Sequence, residues 1–234
     1  MEKTVSIGDI LSETMAVVSV SARDIAIFAA ILGGVTAIGV LLGMTETTSM
    51  TLGTGFSVDA GEGLGNGLFD LLIIIVSVVA SYLLARQLLT TQGLVHVEGN
   101  RFWLYLGLMI LSVLGMIVGF LLLIVPGVIL AVRWSASTGF LLGKGVGITE
   151  SLSASWHATK GHGWAIFLAG LVLMIAIFIV VGAVSAIFFV LGSMAGGLMS
   201  AFLEAASNGV LLAFGVAIYK LVADDSAKLD EVFS

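Results

Sequence analysis

Residues 126–145 read PGVILAVRWSASTGFLLGKG. Up to Val132 this is an apolar helix, and then Arg133 places an always-charged guanidinium between greasy neighbours. Pro126 suits the first turn of a helix, where its missing N–H costs nothing. With the apolar run that precedes it, LLLIVPGV therefore reads as a tight hairpin between two apolar helices. Arg133 has to be explained inside whatever solvent surrounds that hairpin.

The solvent follows from composition. The chain has 234 residues, 59% hydrophobic and 10% charged. A soluble domain carries about 25% charged residues. So apolar a surface is compatible with a bilayer, where helices satisfy their own backbone groups. The net charge of −6 and the lack of basic runs exclude a nucleic-acid partner. With no cysteine, disulfide and thiol chemistry are excluded too. The first apolar run follows a polar, helix-like segment, which is the wrong shape for a cleaved signal peptide.

A spanning helix needs about 20 mostly apolar residues. Six stretches qualify: Ile25–Met44, Leu68–Leu89, Phe102–Val125, Gly127–Gly143, Trp164–Leu191 and Ala195–Val222. The fourth is short and carries Arg133. With six spans and both termini inside, every Lys and Arg except Arg133 falls on or near the cytoplasmic side, and the segment Thr45–Gly67 has none. This is the positive-inside pattern. The glycine-rich part of that segment, LGTGFSVDAGEGLGNG, has no calcium-loop spacing and reads as a flexible outer linker.

Two further segments read as helices that do not span. SIGDILSETMAVV (6–18) puts Ile7, Ile10, Leu11, Thr14 and Val18 on one face, with Ser6 and Asp9 spaced as a capping box. GITESLSASWHATK (147–160) shows a narrower stripe of Ile148, Leu152 and Trp156, and Gly161 is a natural stop. Both are expected along the inner interface, or else simply packed on the bundle. The two stretches match at Ile7 and Ile148, Asp9 and Glu150, Leu11 and Leu152, Ser12 and Ser153. AIFAAIL (26–32) then matches AIFLAGL (165–171). One reading is a parallel internal repeat; chance similarity of apolar sequence is the other. The expected fold is a single all-α membrane domain, residues 1–234, with six transmembrane helices and two cytoplasmic-side amphipathic interfacial helices.

Arg133 lies seven residues past Pro126, about 10 Å down a helix, and Glu204 lies nine past Ala195, about 14 Å down. A lone charge at the bilayer centre costs at least about 2.5–3.5 kcal/mol, so a partner is expected. Similar depth and opposite sign make Glu204 one candidate; a water-filled cavity or a lipid phosphate is the alternative. Around Glu204 stand Ser200, Ser207 and Asn208 on one face, and Ser137 lies one turn beyond Arg133. Asp70, Ser77 and Ser81 form another polar face. These groups either bond helix to helix, at about 0.6 kcal/mol each, or line a ligand cavity. Gly115 and Gly119, then Gly139, Gly143 and Gly147, repeat the small-residue spacing of close helix contacts, including self-association.

Catalytic equipment is not visible. His96, His157 and His162 fall in or near loops without metal-ligand spacing, and there is no G-x-S-x-G and no P-loop. No cofactor or metal is called for, and a non-enzymatic role is expected.

The stretch PGVILAVRWSASTGFLLGKGVGITESLSASWHATKGHGWAIF resembles a bacterial membrane family. It is similar to the membrane domain attached to some glycerophosphoryl diester phosphodiesterases, and to free-standing six-helix inner-membrane proteins related to that domain. The positions that carry the likeness are Pro126, Gly127, Arg133, Ser155, Trp156, Thr159, Lys160, Gly161 and Trp164. Lys144 departs from it, because relatives often carry an acid just after the fourth helix. No phosphodiesterase domain follows the sixth helix, so the hydrolase activity is not carried over. The likeness implies architecture, a bacterial inner-membrane location and a hint of phospholipid-derived ligands. Three roles remain open: a binder of an anionic or amphiphilic ligand such as a membrane lipid, a self-associating or accessory scaffold with a membrane-protein partner, and a small transporter or channel.

Overall fold

The computed structural model describes residues 5–44, 64–97 and 99–233, with side chains described for 5–44, 67–97 and 99–223. The glycine-rich linker falls almost wholly outside these residues. Among the described residues every regular element is a helix. They are α1 (Ile7–Val20), α2 (Ala22–Leu42), α3 (Leu64–Thr91), α4 (Phe102–Leu122), α5 (Ile124–Arg133), α6 (Ser137–Gly139), a π-helical turn (Phe140–Lys144), α7 (Ile148–Ala158), α8 (Gly163–Val190) and α9 (Ser193–Phe233).

Six segments are long and apolar enough to cross a membrane: Ala22–Leu42, Gly67–Thr91, Phe102–Leu122, Ile124–Lys144, Gly163–Val190 and Ser193–Ala223. Large apolar side chains such as Ile31, Ile38, Leu71, Ile75, Leu114, Ile117, Ile175 and Ile179 point outward along them. Rows of exposed Ile and Leu at this density are tolerated only where lipid is the solvent, and the chain is a polytopic membrane protein. At about 1.5 Å per residue, α8 is about 42 Å long. That exceeds a hydrocarbon layer of about 30 Å, so the helix tilts or runs past it.

The chain gathers into two compact units, divided at the junction of α1 and α2 and within α3, α8 and α9. One unit comprises Ala22–Leu84 and Met174–Leu212. There Phe202 lies against Gly33, and Ile25 and Phe28 cover Gly209. Ser200 Oγ donates to Ser185 Oγ at 3.1 Å.

The other unit comprises Met1–Ser21, Ala85–Leu173 and Ala213–Ser234. Leu88, Leu89, Leu108, Leu141, Ile218 and Tyr219 form its core. The capping box of α1 is present: Ser6 N–H reaches Asp9 Oδ2 at 2.9 Å, and Asp9 N–H reaches Ser6 Oγ at 3.2 Å. Ile10, Thr14 and Val17 are the buried face of α1.

One element differs from the sequence expectation. The fourth span is not one helix from Gly127 to Gly143, because α5 stops at Arg133 and Trp134–Ala136 form a turn before α6. The sixth span, Ser193–Ala223, matches the expected Ala195–Val222 closely, within a helix that continues to Phe233. The small-residue spacings are used inside the unit. Gly115 lies under the Trp134 ring, Gly119 against Gly127 and Leu130, and Gly139 and Gly143 against Tyr219.

Candidate functional site

The site begins where α5 ends. A helix leaves its last carbonyls without intrahelical partners, and here serines take up the task. Ser135 Oγ donates to Val132 O at 2.8 Å, and Ser137 Oγ to Trp134 O at 2.7 Å. Such hydroxyls compete with the helix ladder, which is why the WSAS stretch turns instead of continuing. The carbonyl of Arg133 is served from another helix. Ser155 Oγ donates to it at 2.6 Å and Thr159 Oγ1 lies at 3.5 Å. Thr159 Oγ1 also donates to Ser155 O at 2.8 Å, so Ser155 of α7 and its C-terminal cap Thr159 form one clasp.

Below the break the chain is pinned to α9 and to Arg101, just before α4. Gly139 has no room for a Cβ, because the Tyr219 ring occupies that place. Phe140 meets the Tyr219 ring edge-on at 5.0 Å. Gly145 has φ +77, a left-handed conformation that favours glycine and ends the π-helical turn. The Arg101 guanidinium forks onto the freed carbonyls, Nη1 to Gly145 O and Nη2 to Val146 O at 2.7 Å. Sequence alone reads Arg101 only as an interfacial cation, since nothing local links it to a turn 44 residues away.

Above this scaffold the Arg133 guanidinium lies over Trp156, 5.5 Å from the ring centroid. Its Nη1 is shielded from solvent and has no hydrogen-bond partner among the described residues. The other acids described in this unit are committed elsewhere. Asp9 caps Ser6, Glu150 accepts from Gly147 N–H at 3.4 Å, and Glu13 binds Lys220 at 2.6 Å. Lys220 also donates to Gln92 Oε1 at 3.1 Å. That link joins α1 and α9 to the turn that follows α3, and nothing in the sequence pattern anticipates it.

The structure brings Arg133, Ser155, Trp156 and Thr159 together, with Ser137 in the same break. Gly161, at φ +92, ends the turn after α7 as expected. Lys160 is exposed, and Trp164 is 76% exposed with its ring edge-on to Phe167 at 5.8 Å. On and just after α7, Ser151, Leu152, Ser155 and Thr159 are buried, whereas Trp156 is 39% exposed. Small hydroxyl residues let α7 approach the break closely, and the indole is left outside to carry the guanidinium. Glu204, Asn208 and Ser200 are half-buried in the other unit. The Arg133–Glu204 pairing expected from depth is thus not a feature of either unit by itself.

No groups of His, Asp or Glu spaced to hold a metal ion occur among the described residues. Comparison with family models, with curated proteins and with solved structures finds no match to this chain.

Proposed function

We propose that this protein is a non-enzymatic membrane binder of an anionic amphiphile, with the phosphate of a phospholipid held at Arg133. The observation that carries the reading is the guanidinium Nη1, shielded from solvent and without a hydrogen-bond partner among the described residues, on a side chain that rests on Trp156, with each acid of its unit whose side chain is described engaged elsewhere. A desolvated charge without a partner is costly. A phosphate oxygen is the acceptor that a planar guanidinium matches best. Trp156, Lys160 and Trp164 suit the same assignment, since indole and basic side chains favour the headgroup level. The resemblance of residues 126–167 to a phospholipid-associated membrane family points the same way, because its marker positions Arg133, Ser155, Trp156 and Thr159 are the ones that meet. On this reading the protein sits in a bacterial inner membrane with both termini cytoplasmic.

The test is a titration of purified protein with short-chain phosphatidylglycerol, phosphatidylcholine and inorganic phosphate, read by tryptophan fluorescence. Phosphatidylglycerol should bind, and Arg133→Leu should weaken it roughly ten- to a hundredfold, the worth of a charge-assisted hydrogen bond. Glu204→Leu should leave binding unchanged. Equal binding by Arg133→Leu sinks the proposal. So does a stability loss in each single variant that the Arg133→Leu, Glu204→Leu double variant recovers, since Glu204 would then be the partner.

A further inference from the structure

Helix α9 carries a polar face in the middle of a membrane span. The span runs from Ser193 to Ala223, and Asn208 stands midway between them. Glu204 lies one helical turn, about 6 Å, from that midpoint. Ser200 lies one turn farther along the same face. All three side chains are half-buried, and Ala201 and Ala205 beside them are buried, so this face borders packed surface.

The polar groups of the face are unequally served. Ser200 Oγ donates to Ser185 Oγ of α8 at 3.1 Å, and Ser207 Oγ to Leu203 O at 2.7 Å. Glu204 and Asn208 have no hydrogen-bond or ion-pair partner among the described residues. Arg23 is the one cation described in this unit, and it is exposed in the first turn of α2. An unpaired carboxylate at mid-membrane is costly, and acids at such depth characteristically line ion or proton paths. The donors say what would offset the cost. Glu204 offers one negative charge. Asn208 offers its amide oxygen, and Ser200 the lone pairs that its bond to Ser185 leaves open. Side chains one turn apart have Cβ atoms about 6 Å apart, so neighbours along this face can reach an ion lying between them. Oxygen donors suit hard cations. One carboxylate among neutral oxygens balances a single positive charge, whereas a divalent ion would keep a net charge in the hydrocarbon. A cluster of acids is therefore not required.

We propose that Glu204, with Asn208 and Ser200, is a binding site for one alkali cation at the middle of the membrane. This inference is independent of what Arg133 binds.

The test uses the natural chain in liposomes. Dicyclohexylcarbodiimide enters the bilayer and reacts with a carboxyl group only in its protonated form, so a metal cation seated on Glu204 blocks the reaction. The protein is treated at one fixed pH in choline chloride and in sodium chloride of equal ionic strength, and the adduct is located by peptide mass spectrometry. Glu204 should be modified in choline, and sodium should slow that modification roughly tenfold or more. Asn208→Leu should still be modified in choline, and the sodium concentration that halves the rate should rise roughly ten- to a hundredfold. Equal rates in both salts overturn the proposal, because a proton then serves Glu204 alone. Absence of modification in choline overturns it as well, since the carboxylate then has a partner in the protein. Unchanged sodium protection in Asn208→Leu overturns the ligand set. If Asn208→Leu does not accumulate, Ser200→Ala carries the same reading.

Discussion

Helices α1 and α7 start alike and end up doing different work. In the alignment of IGDILSETM with ITESLSASW, Ile10 falls on Ser151 and Thr14 on Ser155, and all four side chains are buried. An acid closes the first turn of each, Asp9 in one and Glu150 in the other. The difference lies in what the shared face meets. Thr14 Oγ1 turns back to Ile10 O at 2.7 Å, so its hydroxyl serves its own helix and the face is effectively apolar. Ser155 Oγ crosses to the Arg133 carbonyl at 2.6 Å. One helix is anchored by apolar burial with a charged link at its edge, the other by hydroxyls placed where a second helix has broken. The same helical face can serve either purpose, depending on whether its neighbour presents side chains or free backbone.

The sharpest way to break this comparison is at the first aligned pair. Ile10→Ala removes a fully buried aliphatic chain and should destabilise the protein by about 2–4 kcal/mol, as core truncations do. Ser151→Ala should cost about 1 kcal/mol or less, because its hydroxyl bonds only Ile148 O within α7. Thermal unfolding in detergent, followed by circular dichroism, reads both. Equal losses would mean that the two helices are anchored in the same way.

At the second pair the order should reverse. Ser155→Ala leaves the Arg133 carbonyl with only the long contact to Thr159 and should cost about 1–3 kcal/mol, the penalty for an unsatisfied buried group. Thr14→Val, which keeps the shape and loses a local bond, should stay within about 1 kcal/mol. If Thr14→Val melted lower than Ser155→Ala, the clasp would not be what holds the break. The smallest effect belongs to the charged link. Glu13 and Lys220 side chains are 22% and 33% exposed, and Glu13→Gln should cost no more than about 1 kcal/mol. That loss should shrink as salt is added. A salt-independent loss would move the pair from the wet edge to a dry interior.

Several features are legible without any coordinates. Composition demands a bilayer, and the apolar runs place six helices with boundaries mostly within a few residues, because hydrophobic length is a local property. The Ser6–Asp9 capping box and the Gly161 stop are legible for the same reason: cap chemistry acts over three or four residues. The marker residues around Arg133 stand out in the sequence as well, although their arrangement does not. Depth counting along two helices offers Glu204 as one partner for Arg133, and the two residues lie in different compact units, so neither unit by itself carries that pair. The serines that make the turn at Trp134–Ala136 read as ordinary span residues in the sequence.

The sequence by itself determined the solvent, the helices and the residue types that could carry charge chemistry, because each depends on neighbours in the chain. Only the tertiary structure decided which hydroxyl meets which carbonyl and which acid meets which cation. Ser155 finds Arg133 across 22 residues, Arg101 finds Gly145 across 44, and Lys220 finds Glu13 across 207. The physical reason is that packing between apolar helices has little directional signal in its side chains. Small residues such as Gly139 and Ser155 set how close two helices come, and that closeness selects the polar partners.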